Sequence, residues 1–224
     1  MSDRPGVAAF DFDGTLARRD TLVPFLRHVR GTPRVLAAAA RSAVRSRDRD
    51  ALKVAVIGHL FRGVPADRLA RLGEAYVPTL VELLRPEMVE RVRWHQAEGH
   101  AVVIVSASLG AYLRPLAARL GLDAALAVEL VAGADGLLTG ELVGQLNTRG
   151  PEKVARLRVW ADQRFGPATG FELWAYGDSS GDEELLALAE HPTWVGRRAG
   201  EDLRRSARPG TGSASGGRGL GDRG

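Results

Sequence analysis

The chain of 224 residues contains no cysteine, which excludes disulfides, thiolate catalysis and zinc–thiolate sites. Lysine is nearly absent as well: Lys53 and Lys153 stand alone among 31 basic residues. A lysine that persists against so strong an arginine bias is a candidate for a position where a planar guanidinium cannot serve. Long apolar runs are lacking. The longest uncharged stretch, near Ala101 to Leu113, is shorter than a membrane span, and Met1-Ser2-Asp3-Arg4-Pro5-Gly6 has no apolar signal core. The expectation is a cytoplasmic protein with no membrane span. Nor does the body of the chain carry an excess of one charge. The net charge of +4 resides in residues 197–224, where seven arginines face Glu201, Asp202 and Asp222, while residues 1–196 balance at 24 basic and 24 acidic. A neutral folded part gives no reason to expect a specific nucleic-acid partner. His28, His59, His95, His100 and His191 share no metal-ligand spacing and read as helix-surface or loop histidines without a site role.

What the sequence does hold is a stretch around which the rest is organised. Val7-Ala8-Ala9-Phe10 is an apolar run that ends abruptly in Asp11-Phe12-Asp13-Gly14-Thr15-Leu16. Such a pattern reads as a buried parallel strand delivering its last side chains to the carboxyl edge of a sheet. Side chains alternate along an extended segment, so Asp11 and Asp13 share one side. Two carboxylates held that close repel each other unless a cation lies between them or they share a proton, which implies a hard divalent metal, proton transfer, or both.

From Asp20 to about Glu98 the period changes to that of helices, with Gly31-Thr32-Pro33 and Gly63-Val64-Pro65 as punctuation. Strand signals then return. Ala101 to Val105 breaks at Ser106-Ala107-Ser108; Ala124 to Val131 reads as a third strand, paired with Leu137 to Leu142 as a hairpin; Phe171 to Tyr176 breaks at Gly177-Asp178. Helices separate these strands, one of them opened by Gly150-Pro151-Glu152-Lys153. Alternating strands and helices predict an α/β fold, a doubly wound parallel sheet, with an inserted all-helical cap. The expected boundaries are 1–19 and 97–198 for the core, 20–96 for the cap, and 199–224 for a disordered Gly/Ser/Arg-rich tail.

Asp11 to Leu16, Ser106, Lys153, and Gly177-Asp178 with Asp182 resemble, in order and spacing, the four motifs of the haloacid dehalogenase-like superfamily. The helical segment between the first two is similar to the cap of its phosphoserine-phosphatase-like group. That resemblance implies a Rossmann-like core and a magnesium-dependent phosphatase for a small phosphorylated metabolite, phosphoserine being one candidate. It implies Asp11 as nucleophile, Asp13 as proton donor and acceptor, and Ser106 and Lys153 as ligands of the phosphoryl group. Magnesium would be held by Asp11, Asp178 and the main chain of Asp13, with Asp182 beside it. Asp20 and Arg62 are the implied substrate readers in the cap, with Lys53 competing for the role of Arg62. The second motif departs from the group's pattern, running Ser106-Ala107-Ser108 where serine-glycine-glycine is usual. Two rival functions fit the same motifs: a phosphomutase or phosphotransferase, and a non-catalytic binding protein that uses the cap or the basic tail.

Overall fold

A computed structural model describes residues 4–43, 48–145, 148–167 and 169–196; the tail lies outside the described residues. In chain order the elements are β1 (Gly6–Phe10), α1 (Leu22–Arg30), α2 (Thr32–Ala43), α3 (Arg49–Phe61), α4 (Ala66–Leu83), α5 (Pro86–Ala97), β2 (Ala101–Leu109), α6 (Gly110–Arg119), β3 (Ala124–Val128), β4 (Leu130–Ala132), β5 (Leu138–Leu142), α7 (Pro151–Phe165), β6 (Glu172–Gly177), α8 (Glu183–Leu188) and β7 (His191–Trp194).

Val7 to Phe10 are wholly buried because β1 is the middle strand of five, in the order β3-β2-β1-β6-β7, every neighbouring pair parallel. Both faces of the sheet are covered, and the period of two divides the strand residues between two cores. Ala8, Phe10, Val102 and Ile104 pack with Leu113 of α6 and with the inserted helices. Val7, Ala9, Val103 and Val105 pack with Leu157 of α7 and Leu185 of α8. The doubly wound expectation is met.

The segment from Ala124 to Val131 is two strands, not one. β3 joins the parallel sheet, and past Glu129 the chain leaves it to form β4, which pairs antiparallel with β5. Glu129 lies at the break, with Arg114 of α6 2.9 Å away. β2 likewise runs on through the serines to Leu109, so Ser106 lies within the strand.

Helices α1 to α4 leave and re-enter the core through two linkers that lie side by side. The amide of Arg18 donates to the carbonyl of Leu83 at 2.9 Å, and that of Arg85 to Leu16 at 2.8 Å. The returning helix α5 lays Val92 and His95 inward. His95 is therefore not a surface histidine as its spacing suggested. It is fully buried, hydrogen-bonded to the Tyr176 hydroxyl at 2.9 Å and to the His100 ring at 2.8 Å.

Candidate active site

The sheet aims the first motif. Phe10 stacks on Tyr176 with ring centroids 4.3 Å apart, and the amide of Asp11 donates to the Tyr176 carbonyl at 2.9 Å, so the chain leaves the sheet between the ends of β2 and β6. Gly14 then turns with φ at +86°, and a Cβ there would lie 2.2 Å from Asp178 Oδ2. Glycine is required twice over, for the dihedral and for the approach of the fourth motif to the first.

Lys153 sits in the first turn of α7, which Gly150 (φ +57°) and Pro151 open. Its Nζ is buried between two carboxylates, donating to Asp11 Oδ1 at 2.5 Å and to Asp182 Oδ1 at 2.6 Å. Burial alone would lower its pKa; the charges and hydrogen bonds of Asp11 and Asp182 prevail and raise it, so the ammonium is held charged. Asp182 spends its other oxygen on the loop after β6. Oδ2 accepts from the amides of Asp178 and Ser179, at 3.2 and 3.0 Å, and from the Ser179 hydroxyl at 2.9 Å. One buried carboxylate thus fixes both the lysine and the turn that carries Asp178.

Asp11, Asp178 and Asp182 each offer a carboxylate oxygen, and the three oxygens lie within 4.8 Å of one another. Burial, with Asp182 and Asp13 adding like charge, pushes Asp11 up to about 7 despite Lys153. Asp178 is raised by the same causes, burial first and Asp182 second. Hard oxygen donors, two of them (Asp11 and Asp178) reluctant to ionise, fit a divalent cation of magnesium's kind, whose charge would offset the repulsion.

Asp13 lines the same cleft but has other partners. Its Oδ1 accepts from the amide of Thr21 at 2.8 Å and from the Thr21 hydroxyl at 2.6 Å, and Oδ2 accepts from the Ser108 hydroxyl. Behind Thr21 lies the buried Tyr112 hydroxyl, 3.3 Å from Thr21 Oγ1. Burial raises the pKa of Asp13, and the Ser108 and Thr21 hydrogen bonds oppose that rise. Two carboxylates two residues apart therefore have separate surroundings: one faces the lysine and the carboxylate triad, the other lies among hydroxyls at the entrance to α1.

A cavity of about 230 Å³ brings together Asp11, Asp13, Asp20, Lys53, Ser106 and Lys153. Ser106 is buried, its Oγ accepting from the amide of Ser108 at 3.2 Å. Asp20 Oδ1 accepts from the amide of Val23 at 3.2 Å, at the start of α1. Arg62 is placed elsewhere. It follows α3, lies against Gly140 of β5, and lines a separate cavity with His59 and Glu141. The cap cation in the cleft is Lys53, whose Nζ donates to the Ala107 carbonyl at 2.7 Å. Sequence reasoning missed Thr21 and Ser108 as partners of Asp13, and Arg149 at the mouth. Thr21 had a signal, as a hydroxyl residue just before the first apolar helical period; Ser108 was visible only as the second serine of its motif.

The family model of haloacid dehalogenase-like hydrolases matches residues 8–187. Protein CicA of Caulobacter vibrioides is 37% identical over 200 residues, covering 85% of this chain and 86% of that protein. Histidinol-phosphatase of Neisseria meningitidis is 27% identical over 105 residues, 46% of this chain and 47% of its own. A solved protein of unknown function from Bordetella pertussis superposes with a TM-score of 0.74 at 22% identity, over 91% of this chain and 96% of that one. A probable phosphoserine phosphatase from Vibrio cholerae has the same fold at a TM-score of 0.58 and 21% identity, over 83% and 54% of the two chains. With its four motifs gathered at one sheet edge, the chain belongs to the haloacid dehalogenase-like hydrolases.

Proposed function

We propose that the protein is a magnesium-dependent phosphomonoester hydrolase that works through a phosphoryl group carried transiently on Asp11. The observation that supports this best is the buried Lys153 ammonium, 2.5 Å from Asp11. Attack of a carboxylate on a phosphate dianion is opposed by like charge, so such a site needs fixed positive charge at the reacting group. Lys153 supplies it, and because Asp182 holds the same ammonium from behind, little reorganisation accompanies the reaction.

In this reading Asp11 attacks phosphorus in line with the leaving alcohol, giving an acyl phosphate and an alkoxide. Asp13 gives a proton to that alkoxide and then takes one from the water that hydrolyses the acyl phosphate, its raised pKa suiting a group that must hold a proton and release it. The Ser106 hydroxyl, buried on the cleft wall, donates to a phosphoryl oxygen. Asp11, Asp178 and Asp182 are the residues that would hold magnesium, with the main chain of Asp13; bound there, the ion lowers the negative charge that the phosphoryl oxygens present to the nucleophile.

The test is phosphate release from a panel of phosphomonoesters, with phosphoserine and histidinol phosphate among them, measured with magnesium and with chelator. Release that requires the metal and is lost in Asp11→Asn is the expected result. No release from any ester by the magnesium-loaded chain would overturn the proposal.

A further inference from the structure

Arg149 is one of the charged residues of the cleft that this reaction leaves without work, and its placement is specific. The amide of the next residue, Gly150, donates to the carbonyl of Gly181 at 2.9 Å, which ties the loop before α7 to the loop after β6. The side chain of Arg149 then lies flat over Gly181. A Cβ on that glycine would fall 2.6 Å from Arg149 Nε and 2.8 Å from its Cγ, so a larger residue there would push the arginine stem aside. One guanidinium nitrogen, Nη2, donates to Ser180 Oγ at 3.1 Å. The other, Nη1, points across the cleft to the inserted helices, where Asp50 in the first turn of α3 lies 3.6 Å away.

That last contact is loose and half-exposed, with side-chain exposures of 41% and 42%. A half-exposed pair of this kind is weak and is exchanged readily for a better-placed anion. The guanidinium is thus held at its stem and exchangeable at its tip. One turn further along α3, Lys53 lines the same cavity with its ammonium on a neutral carbonyl, and no carboxylate lies within ion-pair distance of it among the described residues. The acids of the cleft are engaged otherwise: Asp11 and Asp182 by Lys153, Asp13 by Thr21 and Ser108, Asp20 by the amide of Val23. Beyond the phosphoryl site the cleft offers two cations, Arg149 from the core and Lys53 from the insertion, alongside the carboxylates of Asp20 and Asp50.

We propose that Arg149 is a specificity-determining residue: with Lys53 opposite, it binds a second anionic group, carboxylate or phosphate, on the alcohol half of the substrate, which displaces Asp50 from its guanidinium. The inference rests on the phosphatase reading above, and assigns its substrate class as phosphomonoesters whose alcohol carries a further negative charge. Arginine suits the position because its planar fork meets either anion bidentately.

Three esters test it: glycerol phosphate with a neutral alcohol half, 3-phosphoglycerate with a carboxylate, and glycerol 1,3-bisphosphate with a second phosphate. The quantity read is the ratio of kcat/KM for each anionic ester to that for the neutral one. In Arg149→Met, which keeps the stem, at least one ratio should fall roughly tenfold or more, through KM, as expected for losing a hydrogen bond between charged groups. Arg149→Lys should recover part of it. Asp50→Asn should move the same ratio upward, because the guanidinium no longer has a resident competitor. Whichever ratio falls distinguishes carboxylate from phosphate. Ratios that do not move in Arg149→Met would overturn the assignment. A turnover-independent arm separates this from failure of the phosphatase reading. In calorimetric titrations of the magnesium-loaded Asp11→Asn chain with the phosphonate analogues of the same three esters, Arg149→Met should again weaken the anionic analogues roughly tenfold relative to the neutral one. Equal weakening of all three would make Arg149 a structural support of the loop and sink the inference.

Discussion

At the residue scale the candidate site is two carboxylates in different company, and substitution should separate their roles. Asp11→Asn keeps the volume and removes the nucleophile; phosphate release should fall by about three orders of magnitude or more, with the circular dichroism spectrum unchanged. Activity within tenfold of wild type would show that Asp11 does not attack. Lys153→Arg keeps the charge, but the pocket that holds Nζ at 2.5 and 2.6 Å from two carboxylates has no room for a planar fork. Most activity should be lost, and near-normal rates would remove the point-charge argument. Asp13 depends also on Thr21, which lies outside the four motifs. Thr21→Val retains shape while deleting the hydroxyl that donates to Asp13 Oδ1 at 2.6 Å. The expected result is a drop in kcat of about tenfold with KM little changed, since proton transfer suffers and ground-state binding does not; a change confined to KM would place Thr21 in substrate binding instead.

At the scale of elements, what the sequence revealed and what it hid divide along physical lines. The strands that bear the motifs were legible because burial on both faces writes them as continuous apolar runs, with Asp11, Ser106 and Asp178 in or just after those runs, whereas Lys153 was legible from the Gly150-Pro151 helix start. The division of 124–131 between two sheets was not, because Glu129 interrupts the apolar run there without saying which sheet each side joins. Arg62 illustrates the same limit. It lies just past the end of α3, nine residues from Lys53, and which of the two faces the cleft is decided by docking of the helix on β5, where Gly58 meets the Gly140 carbonyl. Close approaches of this kind leave only a glycine in the sequence. Gly73 of α4 is the clearest: a Cβ there would fall 2.0 Å from the carbonyl oxygen of Ala111 in α6. By helix propensity alone Gly73→Ala should stabilise the helix by roughly 1 kcal/mol. The contact predicts the opposite, a loss of about 1–3 kcal/mol from overpacking, measured as a lower urea midpoint at unchanged m-value. A raised midpoint would mean that α4 and α6 separate easily.

For the whole molecule, stability against pH is set by buried groups of opposite tendency. His95 is fully buried among Phe10, Tyr176, Trp174 and His100, and burial, with His100, Arg91 and His191 adding positive charge, holds its pKa down to about 3. An unfolded histidine titrates near 6.5. Between those values the unfolded chain binds the proton and the folded chain does not, so this residue lowers stability as pH falls from 6.5 towards 3, by about 2 kcal/mol at pH 5. Asp11 works against it. Its folded pKa of about 7 lies above the unfolded value of 3.8, so the folded state takes up the proton first and gains stability as pH falls between the two. Asp13 and Asp178, raised by burial, add to that gain. The raw melting curve therefore mixes two signs, and the informative quantity is a difference. His95→Gln retains a polar partner for the Tyr176 hydroxyl but cannot titrate. Measured in chelator to keep metal binding out of the comparison, wild type should lose melting temperature relative to His95→Gln by roughly 4–8 °C between pH 7.5 and pH 5. Parallel curves would show that His95 takes up its proton in place, with Tyr176 and the sheet beneath it accommodating the charge.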